Sequence, residues 1–460
     1  MSADVPHALL VDLYELAMVD VYRREGMAGR PATFSLFVRG LPAQRSCLVA
    51  AGLDDALAWL EALRFGPTEL AALERLGLFG TDFLDWLGQL RFTGSVRAVP
   101  EGTVVFAGEP ILEVDAPIGE AQLAETFLLN QITLQTILAT KAARCRHAAG
   151  GRAVVDFALR RAQGIDAGMK LARMCRLVGL AGTSNVAGAD RYGVAATGTM
   201  AHSFVQAYAD EAEALRAYAS AFGDATVLLV DTYDTERGID RAIDVARELR
   251  ERGVEIRGIR LDSGDLAALA HRARRRLDDA GFRAVGVFVS GGLDEYRIHE
   301  LVHGERAPID GFGVGSALGA STDAPTLDTV YKLVAYDGRP VRKTSTGKRT
   351  WPGAKQVWRA PDWSDDTLAL VDEAPPSPGH RPLLTEVLRH GRRSAAGRRT
   401  LADANQHFEH QWSALPDALK ALTGAAAHPV TVSPGLRRLA AQLDELDERA
   451  DEQASSMEVP

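Results

Sequence analysis

Two short runs of small residues, Ser290-Gly291-Gly292 and Gly313-Val314-Gly315-Ser316, have the composition of an anion cradle. Glycine lets the main chain approach a ligand closely and aim successive N–H groups at it, and each serine adds a hydroxyl donor. The spacing differs from a dinucleotide fingerprint and no Walker A pattern occurs in the chain, so the pair reads as a cradle for a phosphomonoester, with tight turns as the plainer alternative. The run RLDSGDL sets Asp262 and Asp265 around a Ser263-Gly264 turn. Two carboxylates so placed can hold Mg²⁺ through water or bind the hydroxyls of a ribose, and Arg260 can neutralise a phosphate or carboxylate. An N-cap followed by a first-turn acid would use the same residues.

His202 ends GTMAHS among small residues, with room to act as an acid/base group or as a nucleophile that forms a phospho-intermediate, unless it is an ordinary satisfied core histidine. DFALRRAQG offers Phe157 for stacking on an aromatic ring or for the core, and Arg160 beside Arg161, of which one is expected to be functional and the other solvated or structural. His407 and His410 mimic a metal pair but lack an evident third ligand. His271 to Arg276 reads as a solvated helix face. Lys332, Lys343, Lys348 and Lys355 read as surface lysines of a β-rich segment.

The elements that must position these groups follow from periodicity. Pro31 to Val38 alternates like a strand, and Ser95 to Val114 carries further short β runs, which together imply a small sheet. Glu120 to Ala149 repeats apolar residues at helical spacing and predicts one long core helix. Seven apolar runs then end near Asp156, Ser184, His202, Asp231, Asp262, Ser290 and Gly313, each followed by a helical pattern, which is βα spacing. Because chemistry sits at nearly every strand end, an irregular (β/α) barrel is expected over an open doubly wound sheet. The chain turns β-rich again through VYKLVAYDGRPVRKTS, with Asp337-Gly338 as a hairpin signal. Glu373 to Arg399 reads as a linker, and helical segments with a solvated acidic run, DELDERADEQ, follow. The expected division is a β-rich α/β domain from residues 1–120 and 320–372, a barrel over 121–319, and a linker with C-terminal helices over 373–460.

Composition narrows the function class. With 52 Lys+Arg against 61 Asp+Glu, the net charge of −9 argues against nucleic acid as a partner. No apolar run reaches the roughly 20 residues of a spanning helix. The N-terminal residues interrupt their apolar positions with Asp12, Glu15 and Asp20, unlike a signal peptide. Cys47, Cys145 and Cys175 form no pairing motif, which suits a reducing cytoplasm.

Taken in order, DLYELAM, FSLFVRGLP, KAAR (Lys141 to Arg144), DFALRRAQG, GTSNVAG, GTMAHS, VDTYDT, RLDSGD, SGGLDE, GFGVGS, VYKL and PGAKQVWR resemble the nicotinate phosphoribosyltransferase family over most of the chain. The resemblance implies an irregular barrel of the type II phosphoribosyltransferase kind and a cytoplasmic homodimer with shared sites. It implies a reaction in NAD salvage, in which nicotinate and phosphoribosyl pyrophosphate give nicotinate mononucleotide and pyrophosphate, with Mg²⁺ and with coupled hydrolysis of ATP as co-substrate. It assigns Ser290, Gly291, Gly292, Gly313, Gly315 and Ser316 to the 5′-phosphate, Asp262 to the ribose side, Arg260 beside it to the base and phosphate region, and Ser263 to substrate binding. Phe157 is one wall of the pyridine slot and Tyr14 of a partner subunit the other. Arg160 lies near the phosphates, and Lys332 and Lys343 reach across the dimer interface. His202 matches the histidine that ATP phosphorylates.

The same resemblance places Thr183, Ser184 and Asn185 at the pyridine substituent. The related nicotinamide-using enzymes carry an aspartate at the position of Ser184, whose charge would repel nicotinate's own carboxylate, whereas serine and its neighbours can donate to it. The chain departs from the family at Ala158, commonly Gly, and at Ser316, commonly Thr. A nicotinamide-specific transferase and a non-catalytic metabolite-binding barrel are the competing readings.

Overall fold

The computed structural model describes residues 6–345 and 347–457. The chain divides into two compact units, Met1–Ile137 with Thr326–Pro460, and Leu138–Pro325.

The first unit is built on antiparallel pairing. Pro31–Val38 lies between Pro110–Pro117 and Thr329–Tyr336, so strands distant in sequence form one sheet. Asp337 (φ 51°) and Gly338 (φ 73°) occupy the left-handed region and close the Tyr336–Arg339 pairing, as a two-residue hairpin turn requires. Phe34 stacks on Tyr331 and Trp59 on Phe127, each with ring centroids 4.7 Å apart, inside a continuous apolar core.

Two expectations change in this unit. Residues 373–399 are no linker: Arg381–Pro382 pairs with Lys355–Arg359, and Thr385–Arg389 pairs with Ser95–Ala98. Proline and glycine disguised these strands, since a short edge strand tolerates both. Lys355 is buried at 3% exposure and lies 3.2 Å from Glu113, so it is no surface lysine. The acidic run lies on the helix Pro434–Met457 and stays largely exposed up to Arg449, as expected, with Asp444 and Asp447 pairing with Arg342 at 2.6 and 3.3 Å; its side chains from 450 onward lie outside the described residues.

The second unit holds six parallel strands in the order Gly182–Thr183, Ala153–Asp156, Gly311–Val314, Gly286–Ser290, Gly258–Leu261, Val227–Leu229. The first strand in sequence pairs with the last, Asp156 opposite Val314, which is the neighbour relation of a barrel cut at one seam, a parallel half-barrel. Seven strands were expected. The stretch around GVAATGTMAH contributes only one isolated bridge, Ala196 to Thr183, because its small residues give little side-chain packing to a sheet. The expected long helix is also broken, into Ile118–Gln122 and Glu125–Ala148. Connecting helices bury a single face: Thr235–Arg250 starts on the Asp234 cap and buries Ile239, Ala242, Ile243, Ala246 and Leu249. Among the described residues no helix is long and apolar enough to cross a membrane.

Candidate active site

The carboxyl ends of the parallel strands bring most of the singled-out residues together. Asp231, just past Val227–Leu229, anchors the neighbouring turn: its Oδ2 accepts from the Asp262 N–H at 2.9 Å and from the Ser263 hydroxyl at 2.6 Å. This fixes the backbone of Asp262. Its side chain is then held by Ser290, whose hydroxyl donates to Oδ1, while Oδ2 lies 3.7 Å from Nε2 of His202. Nδ1 of His202 is 3.1 Å from the Thr232 hydroxyl. The histidine is thus held at Nδ1, while Nε2 stands beyond hydrogen-bond distance of the carboxylate on a side chain that stays 40% exposed. That combination fits a group that reacts with something from solvent.

Arg260 faces the same space. Its guanidinium bonds the Thr199 hydroxyl and the Met200 carbonyl, the latter at 3.1 Å, and lies 5.9 Å from the Phe157 ring centroid. Burial pulls the Arg260 pKa down, Asp262 and Asp231 oppose this, and nearby Arg160 adds to the lowering. Its Nε is buried without a protein partner. A bound anion would relieve both the repulsion and the unmet donor.

The glycines separate by purpose. A Cβ on Gly313 would meet Phe157 Cε2 at 2.4 Å, so this glycine admits the aromatic ring. Gly291 (φ 87°) carries its loop across the main chain of Asp262, where a Cβ would fall 1.9 Å from the carbonyl oxygen. Gly292 has open space on that side, and Ser316, exposed, begins the helix Ser316–Ala320 after Gly315. Ser290, by contrast, is 3% exposed with its hydroxyl engaged by Asp262.

Of the three candidate donors at the pyridine substituent, two are committed elsewhere. Thr183 donates to Asp156 at 2.7 Å, and burial pushes the Asp156 carboxyl up despite that bond. Asn185 caps the helix Val186–Tyr192 through Gly188 N at 3.0 Å and donates to Gly168 O at 3.2 Å. Ser184 alone presents an exposed hydroxyl without a side-chain partner among the described residues. Asp265 caps Leu266–Asp279 by accepting from Ala268 N at 3.1 Å, the structural role the sequence left open for it. The Ala158 methyl is fully buried against Gly319, away from solvent.

Sequence reasoning missed Asp231, Thr232 and Thr199. Asp231 and Thr232 were visible only as the polar end of VDTYDT, while Thr199 gave no signal beyond its place in GTMAHS. His407 bonds the Thr103 hydroxyl at 2.9 Å in the first unit. In that unit Tyr14 is 46% exposed; burial and the nearby Glu125 carboxyl push its phenol pKa up, and that carboxyl also feels Lys332. Lys343 is exposed, its main chain paired with Thr350.

Residues 9–133 match the model of the nicotinate phosphoribosyltransferase N-terminal domain and residues 153–353 that of the nicotinate phosphoribosyltransferase family. A nicotinate phosphoribosyltransferase of Mycobacterium tuberculosis is 50% identical over 93% of this chain and 91% of its own. One of Bacillus subtilis is 43% identical over 80% and 76%. The crystal structure of human nicotinic acid phosphoribosyltransferase superposes with a TM-score of 0.82 at 29% identity, covering 94% of this chain and 99% of that one. On these matches the chain belongs to the nicotinate phosphoribosyltransferase family of enzymes.

Proposed function

We propose that the chain joins nicotinate to the phosphoribosyl group of phosphoribosyl pyrophosphate in NAD salvage, with ATP hydrolysis coupled through phosphorylation of His202. The observation that carries the coupling is the orientation of His202. If the Thr232 oxygen accepts Nδ1–H, Nε2 keeps its lone pair, on a side chain that is 40% exposed. Attack of Nε2 on the γ-phosphorus of ATP would break the bond to ADP, and water would later release phosphate.

In the main reaction the bond between C1 and the pyrophosphate oxygen breaks, and its electron pair leaves with pyrophosphate. The pyridine nitrogen then forms the C1–N bond from the opposite face, with no proton transferred. The chain therefore needs to position and neutralise rather than supply a strong base. Asp262 serves the ribose and its developing positive charge, Arg260 and Arg160 the anionic groups, and Phe157 one face of the pyridine. Ser316 and the open N–H groups around Gly292 and Gly315 hold the 5′-phosphate. Ser184 donates to the nicotinate carboxylate, its exposed hydroxyl supporting a preference over nicotinamide.

Among the described residues no three His, Cys, Asp or Glu side chains gather as a metal site. Asp262, and Asp265 through water, are the carboxylates that would hold Mg²⁺ brought with the substrate's phosphates. Mg²⁺ there would neutralise the leaving pyrophosphate.

The strand order supports the type II phosphoribosyltransferase barrel, and the three free, buried cysteines among the described residues support a cytoplasmic setting. We extend the reading to a homodimer in which Tyr14, Lys332 and Lys343 of one protomer complete the partner's site. A competition assay tests the substrate: with nicotinate and nicotinamide at equal concentration, nicotinate mononucleotide is the expected product, and predominant nicotinamide mononucleotide would overturn the reading.

A further inference from the structure

The KAAR segment takes no part in the chemistry above, yet both of its charges are buried. Lys141 and Glu295 are both fully buried and directly paired. The Lys141 ammonium also bonds Asp323 Oδ1 at 2.7 Å. Three residues on, and therefore on the same helix face, Arg144 Nε donates to Glu295 Oε1 at 2.9 Å and its Nη2 reaches the Tyr296 hydroxyl at 3.0 Å. Two cations and two carboxylates thus form one neutral network, in which each buried charge keeps its partners only while the geometry holds.

The two carboxylates have telling positions. Glu295 stands three residues beyond Gly292, at the start of the helix that follows the Ser290-Gly291-Gly292 loop. Asp323 stands seven residues beyond Ser316, after the helix Ser316–Ala320 and the turn at Ser321, where φ is 45°. One ammonium therefore ties together the segments leaving both small-residue loops.

We propose that Lys141 is a positioning residue for phosphate binding: by bridging Glu295 and Asp323 it sets the separation of the two loops that embrace the 5′-phosphate. Arg144 holds Glu295 in the direction Lys141 requires. The proposal rests on reading those loops as the phosphate cradle.

The test measures KM for phosphoribosyl pyrophosphate, KM for nicotinate, and kcat in K141M/E295Q, which removes the Lys141–Glu295 ion pair and leaves the network's net charge unchanged, and in D323N, which releases only the second loop from a side chain 20% exposed. S316A alters the cradle itself. Expected is a rise in KM for phosphoribosyl pyrophosphate of about tenfold in the double variant and about threefold in D323N, with nicotinate KM and saturated kcat nearly unchanged. A structural role alone would lower thermal stability without that split. If folded D323N keeps the wild-type KM while S316A raises it, the positioning role is wrong and the cradle stands. If neither D323N nor S316A moves it, both readings fail. Should the double variant not fold, D323N decides.

Discussion

Nε2 of His202 lies 3.7 Å from Oδ2 of Asp262, and the other oxygen of that carboxylate accepts the Ser290 hydroxyl. The aspartate proposed for the ribose therefore stands between the residue proposed for ATP coupling and the loop proposed for phosphate. Its backbone is held in turn by Asp231. The strand ends that carry these groups are therefore neighbours in one polar cluster, which gives the account its tests.

Thr232 orients His202 through Nδ1. T232V keeps the shape and removes the hydroxyl, so the imidazole loses its fixed tautomer. Steady-state assays should show ATP stimulation reduced about tenfold while ATP-independent synthesis changes less than about twofold. Unchanged stimulation would remove Thr232 from the coupling.

Ser184 is the one free donor of its motif. S184D places a carboxylate where nicotinate's carboxylate is expected, and kcat/KM for nicotinate should fall about 100-fold while that for nicotinamide rises. Equal loss for both substrates would place Ser184 outside the specificity site.

If protomers share sites, two defective chains can repair one another. Y14A and D262N, each strongly impaired alone, should recover about a quarter of wild-type activity when unfolded together and refolded, because half of random dimers are mixed and each holds one intact site. No recovery, with dimers confirmed by mass, would place Tyr14 outside a neighbour's site.

Glu15 is fully buried, and burial pushes its carboxyl up to about 8, while hydrogen bonds from Thr126 pull the other way. A raised carboxyl pKa means the folded chain binds more protons than the unfolded one between about pH 4.3 and pH 8, so stability falls as pH rises through that window. Thermal unfolding from pH 5 to pH 9 should show a decline of roughly 1–3 kcal/mol that E15Q abolishes. A parallel decline in E15Q would refute the assignment.

The strand ends were legible because chemistry and βα spacing coincide there: the residues around Asp156, Asp231, Asp262, Ser290 and Gly313 stand at the ends of real parallel strands. What the sequence hid was the direction of side chains. Thr183 and Asn185 looked like ligand donors, but one serves a buried aspartate and the other a helix cap. Gly313, read for the phosphate, also makes room for Phe157. Both facts depend on neighbours across the sheet, which no local pattern reveals. The barrel seam was equally hidden, since GVAATGTMAH has the spacing of a strand but not the side chains to pack as one.

The central claim is tested most directly by nicotinate mononucleotide formation from nicotinate, phosphoribosyl pyrophosphate and Mg²⁺, measured with and without ATP in the wild-type enzyme and in H202A. The account predicts that ATP accelerates the wild type, whereas H202A retains slow synthesis that ATP does not change. Absence of product under both conditions, or equal ATP stimulation in H202A, would contradict it.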